Sequence, residues 1–230
     1  MEQLSLSLSL SLSLPFRARG FVTRRSSHAN KKTLCFLEAL LRQALSGVRG
    51  ASADSRVKCA RLLAELAAHS ARDQPAPLRA VVFSHFRASL DRIRSALQDA
   101  GFTVYMLAGA SGPQRHGMIR DFQTSRPEDT TPRVFLVSTS IGAVGITLTA
   151  ANLVVMMEPA MDPASELQAA GRVHRLGQTR SVSVRRLVAN NTVEQRIATL
   201  HARVKAGTIK TSSTGCGLPE AALKLLFDEP

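Results

Sequence analysis

Five strand-like runs recur through the middle of this chain, and they decide its fold class before anything else is read: Ala80–Phe83, Thr103–Leu107, Arg133–Val137, Leu153–Met157 and Ser181–Leu187. Ala80–Phe83 and Leu153–Met157 are continuously apolar, as parallel strands covered on both faces are, and Ser181–Leu187 alternates as a half-covered strand does. Between the runs the apolar spacing changes to that of helices. Phe86, Leu90, Ile93 and Leu97 share one helical face that Gly101 ends, and a second helix is expected around Gln114 to Phe122. Asp162 and Pro163 read as the N-cap and first-turn proline of a third, which is expected to continue until Gly177, and Val193 to Val204 reads as a closing helix. Upstream, Asp54 to His69 forms a helix with Asp54 as N-cap and with Cys59, Leu62, Leu63 and Leu66 on its buried side. Alternating β and α elements with apolar strands predict an α/β fold with a mostly parallel sheet between two layers of helices.

The ends of the chain read differently. Leu4 to Leu14 alternates Leu and Ser, then Pro15 leads into Arg17, Arg19, Arg24 and Arg25. Such alternation makes a one-faced strand if a partner is at hand, and a disordered or aggregation-prone segment otherwise. Residues 1–30 are therefore expected as a low-complexity disordered segment, 31–50 as a lead-in helix along Leu34, Leu37, Leu41 and Leu45, 51–207 as the folded domain and 208–230 as a tail. The Arg- and Ser-rich, acid-poor composition between Gln3 and Leu37 is also that of an organellar transit peptide. In the tail, Leu223, Leu226 and Phe227 form one side of a short docking helix.

With 30 Lys and Arg against 17 Asp and Glu, the net charge of +13 favours a polyanionic partner. One Tyr, no Trp and scattered Phe leave no platform on which bases could stack, so backbone tracking on duplex DNA fits better than single-strand stacking. Cys35, Cys59 and Cys216 are too widely spaced for a metal site or a disulfide framework, and the six His residues show no ligand spacing, so no metal is expected. No run approaches the 18 or so apolar residues a membrane span requires.

The most chemically loaded string runs from Gln168 to Gln178, Gln-Ala-Ala-Gly-Arg-Val-His-Arg-Leu-Gly-Gln. On a continuous helix Gln168, Arg172 and Arg175 stand at i, i+4 and i+7 and share a face. An ordinary pair of helical arginines is most often a solvated surface. Here the string resembles motif VI of the Swi/Snf-type DNA-dependent ATPases, a branch of the superfamily 2 helicases. Three more matches stand in the family's order: Val81 to Phe86 resembles motif IV, Leu107-Ala108-Gly109 the short Leu-x-Gly element, and Ser138 to Asn152 motif V. Together they cover about Ser55 to Lys205, and the chain is identified as the C-terminal RecA-like lobe, lobe 2, of such a motor. The approach Glu158 to Leu167 looks nearest to the branch that carries a RING and a linker-histone-like domain.

The resemblance implies a RecA-like three-layer sandwich and assigns roles. Arg172 and Arg175 would be arginine fingers reaching ATP and Mg2+ held by lobe 1. Gly142, Gly145 and Gln168 would help to seat the nucleotide, and Ser84, Gly109, Ser138 and Thr139 would face the DNA backbone from strand ends. The partners implied are double-stranded DNA, possible nucleosomal substrates and a first RecA-like lobe, in a nuclear setting. His174, between the arginines, is expected to support the structure.

The chain also departs from the family pattern. His85 stands where motif IV usually has Gln, and in motif V the stretch Ile141 to Gly145 and Thr147 take the places of the usual Ala-Gly-Gly and Asn, with the second glycine, Gly145, kept. No Gly-x-x-x-x-Gly-Lys-Ser/Thr loop and no acidic box occurs in the chain, so it is not expected to turn over ATP alone. Two readings stay open: half of a DNA-dependent ATPase, or a non-enzymatic lobe that binds DNA or a partner.

Overall fold

The computed structural model describes residues 6–9, 51–72, 77–107, 109–124, 131–139, 145–209, 222, 225 and 226. Expectations that fall on the lead-in helix, most of the Leu-Ser segment, Gly142, Leu223 and Phe227 lie outside the described residues. The elements are β1 (Leu6–Ser9), α1 (Ala51–Arg72), β2 (Arg79–Ser84), α2 (Arg87–Asp99), β3 (Thr103–Met106), α3 (Gly112–Gln123), β4 (Arg133–Ser138), β5 (Leu153–Met156), α4 (Pro163–Ala170), β6 (Ser183–Ala189) and α5 (Val193–Lys205).

The strands lie in the order β1-β6-β5-β2-β4-β3. All neighbours pair in parallel except β1, which runs antiparallel along β6 with Leu6 opposite Ala189. Those four residues of the Leu-Ser repeat thus take the strand outcome that their alternation allows. The chain first builds β2, β3 and β4 to one side and then crosses back over β2 to lay down β5 and β6, so the switch point of the sheet lies at β2.

Period two sorts the central strands between two cores. Ala80, Val82, Val134, Leu136, Leu153 and Val155 meet Leu62 and Leu66 of α1 and Leu90, Ile93 and Leu97 of α2. Their neighbours Val81, Phe83, Phe135, Val137, Val154 and Met156 face Phe122 of α3 and Ala169 of α4. Each fully buried side chain of this kind contributes about 1.5–3 kcal/mol. This is the three-layer α/β sandwich expected of a RecA-like lobe.

Local chemistry sets most of the ends. Gly101, at φ +84°, reverses the chain after α2. Asp162 Oδ1 accepts from the Ala164 N–H at 2.9 Å with Pro163 in the first turn, so the expected cap of α4 is present. Thr192 Oγ1 caps α5 by accepting from the Glu194 N–H. Buried Arg79 donates to the Phe122 and Thr124 carbonyls and closes the end of α3. α1 begins at Ala51, so Asp54 lies inside that helix and is not its cap. Ala222 and Leu226 pack with Ile197 and Leu200 of α5, as a docking segment would.

Candidate functional site

The parallel ladder brings three expected DNA-facing residues together at the C-terminal edge of the sheet. Ser84 pairs with Ser138 at the ends of β2 and β4, and the Thr139 N–H donates to the Ser84 carbonyl at 3.1 Å. Gly109, exposed at φ +83°, follows β3 on the same edge. Ser84 and Ser138 are only 1% and 7% exposed, however, and the Ser84 hydroxyl turns inward to donate to Glu158 Oε1 at 2.8 Å. This differs from the expectation that Ser84 offers its hydroxyl to a phosphate. The cause is Glu158 itself, a buried carboxylate that takes the nearest donors in place of water.

Glu158 lies just beyond β5, and its Oε1 also accepts the His85 backbone N–H. Burial pushes its carboxyl up to about 7; the His85 N–H, Lys58 and the Ser84 hydroxyl act against that shift and Glu194 adds to it. His85 in turn joins Nδ1 to Thr139 Oγ1 at 2.5 Å. One carboxylate thereby links the exits of β2, β4 and β5.

The arginine-bearing string has a different build. α4 stops at Ala170 with Gly171 as its C-cap, so Arg172 and Arg175 do not continue the helical face that carries Gln168. The reason is a competing long-range bond: the Arg172 carbonyl accepts from the Leu148 N–H at 2.9 Å, and the string closes in tighter turns, Arg172 N–H to Ala169 and Arg175 N–H to Val173. Buried Val173 anchors the turn in the core. Gln168 stays exposed on α4, and Gly177 ends the turn instead of the helix.

The two guanidiniums nevertheless stay close. Burial and the charge of Arg175 together hold Arg172 below its ordinary value, burial being the larger cause. Arg175 is exposed, donates to Thr147 Oγ1 at 2.8 Å and has no carboxylate partner among the described residues. Thr147 occupies one of the positions where motif V departs from its family pattern. Gly145, at φ +33°, lies two residues before it in a conformation that suits glycine.

Residues that the sequence did not single out hold this turn to motif V. Gln178 Nε2 donates to the Thr149 and Ala151 carbonyls at 3.0 and 2.6 Å. Gln123 Nε2 donates to the Thr147 carbonyl, its Oε1 accepts from the Ala150 N–H, and Arg180 donates to the Ala150 carbonyl. Glu166 seats α4 by accepting the Ala160 N–H and pairing with Arg186 of β6. The one available signal was a run of amide and guanidinium side chains around Gln178 with no apolar periodicity of its own. His174 is partly buried, and its backbone N–H donates to the Ala170 carbonyl. Among the described residues no three His, Cys, Asp or Glu side chains gather as a metal site, and no helix is long and apolar enough to cross a membrane.

Comparison with known proteins follows the same residues. Residues 58–177 match the helicase conserved C-terminal domain. The chain is similar, at 38% identity over 158 residues, to a SWI/SNF-related matrix-associated actin-dependent regulator of chromatin subfamily A member 3-like protein of Arabidopsis thaliana, covering 68% of this chain and 18% of that protein. The DNA repair protein RAD5A of the same plant is 38% identical over 126 residues, 54% of this chain and 12% of its own length. Among solved structures, the C-terminal part of the Fun30 ATPase domain aligns at a TM-score of 0.51 and 26% identity, over 64% of this chain and 45% of that one. The chain spans less than a fifth of the length of these curated relatives.

Proposed function

Because this chain belongs to the helicase conserved C-terminal domain family, in its Swi/Snf-type branch, we propose that it works as the second half of an ATP-driven DNA motor. Its relatives carry chromatin-regulator and DNA-repair names, which supports a nuclear role on chromatin or damaged DNA. The single observation that carries the reading is Arg175. Its guanidinium is solvent-exposed, without a carboxylate partner among the described residues, steered by Thr147 and set beside a second guanidinium.

A planar, permanently charged fork in that situation suits a phosphate. Arg172 and Arg175 would meet the triphosphate of ATP seated on a first lobe and stabilise the charge that develops as the γ-phosphoryl transfers. On this reading, which the family resemblance supports, this chain's part is with the phosphates, and the magnesium ion is held mainly by the first lobe. Gly142, Gly145 and Gln168 would help to seat the nucleotide beside them. The strand-end edge at Gly109, Ser138 and Thr139 supplies the grip on the DNA backbone, with Ser84 acting from behind it. Motif V joins the two functions, since it leaves β4 at the DNA edge and hydrogen-bonds both arginines before β5 begins.

The test is Arg175→Ala in the complete two-lobed protein. DNA-stimulated ATP hydrolysis should fall by about 10³ or more, the range for lost arginine fingers, while duplex affinity stays within about two-fold. Retained turnover would overturn the assignment.

A further inference from the structure

We propose that Glu158 is a positioning residue for DNA binding, which fixes the exits of β2 and β4 so that Thr139 meets the phosphate backbone from a set position. The inference rests on the reading of this edge as DNA-facing. A strand exit leaves its backbone N–H groups beyond the ladder, and each must find a partner. At β2 the partner is one carboxylate oxygen of Glu158, which takes the Ser84 hydroxyl and the His85 N–H together. That double contact sets the direction in which the chain leaves the strand. His85 then carries the constraint to Thr139 through its ring.

Glu158 does not bind a ligand itself. The cavity against it, lined by Phe83, His85, Thr139, Ser165 and Glu166 among others, encloses about 10 Å³, which holds about one water and no larger group. Its charged surroundings are mixed: Lys58 donates to the Met157 carbonyl next door and to Glu194, and Glu166 faces the same cavity. A buried carboxylate is a poor way to gain stability, because it gives up hydration that an apolar side chain never had. Its use here is geometric.

The 230-residue chain is prepared as wild type, Glu158→Gln, Glu158→Ala and Ser84→Ala, with thermal melts to confirm folding, and labelled duplex DNA is titrated at several salt concentrations. Glu158→Ala should bind about ten-fold more weakly, with a log–log salt slope shallower by about one to two phosphate contacts. Glu158→Gln, whose amide oxygen still accepts from both donors, should stay within about two-fold of wild type. Ser84→Ala removes one donor only and should lose about three-fold, which keeps a readout if Glu158→Ala does not fold. Unchanged affinity in both Glu158→Ala and Ser84→Ala, or an equal loss in Glu158→Gln and Glu158→Ala, overturns the inference while a salt-dependent wild type leaves the DNA reading intact. A wild-type chain with no salt-dependent affinity for duplex overturns both.

Discussion

The strand-end edge and the arginine turn are built in opposite ways. At the edge, Ser84, Ser138 and Glu158 are buried, and the Ser84 hydroxyl is taken by Glu158. At the turn, Arg175 and Leu176 face solvent, Leu176 completely, and what holds the turn comes from behind, through Thr147, Gln123 and Gln178. One region spends its polar groups on its own shape, whereas the other keeps them for something outside. Under the proposed function the contrast has a use: a backbone grip would need a fixed surface more than outward side chains, while charge stabilisation across a cleft would need a guanidinium that faces solvent.

The comparison can be broken most sharply at Arg175. Arg175→Lys keeps the charge and loses the fork, so in the complete two-lobed protein hydrolysis should still fall by about 10² or more; a lysine variant with near-normal steady-state rates would mean that any cation serves. Next comes the pH response of Glu158. Its carboxyl stands at about 7 in the fold against an ordinary 4.5, so between those values the folded chain keeps a proton that the unfolded chain has released. This group's contribution to stability is therefore full below about 4.5, is lost as pH rises towards 7 and stays lost above, by about 3 kcal/mol at most. Denaturant melts should show Glu158→Gln more stable than wild type at pH 8 and equal to it near pH 4; parallel profiles would place the carboxylate in a wetter setting.

A smaller effect is expected behind the turn. Gln178→Ala leaves the Thr149 and Ala151 carbonyls without their donor and should cost about 1–3 kcal/mol in urea unfolding, and no loss would mean that water replaces the amide easily. Smallest of all, Leu176→Ser should change stability by no more than about 0.5 kcal/mol, since the side chain touches solvent only. A larger change on melting would place Leu176 inside the fold and erase the contrast.

Much of the fold was legible because it depends on local rules. The strands followed from apolar runs, Leu90, Ile93 and Leu97 from helical spacing, and Asp162 with Pro163 from cap chemistry. The arginine string was misjudged as one helix because its end is set by the Leu148 N–H, 24 residues away from the carbonyl of Arg172 that it reaches, and no periodicity within the string carries that information. α1 starts earlier than expected, at Ala51, where Ala51 and Ala53 are strong helix formers that extend the helix upstream of Asp54. The resemblance implies that Ser84 faces the phosphate backbone from a strand end, and the structure has it at the end of β2 with its hydroxyl turned inward. Only the arrival of β5 beside β2 brings Glu158 against it.

The Leu148 to Arg172 hydrogen bond has one more consequence. The turn that carries the guanidiniums owns no continuous helix of its own, so part of its stiffness is borrowed from the stretch that leads into β5. Loss of that stretch would remove a contact from each arginine at once, the Leu148 N–H on the Arg172 carbonyl and Thr147 on the Arg175 guanidinium, and leave buried Val173 as an anchor of the turn.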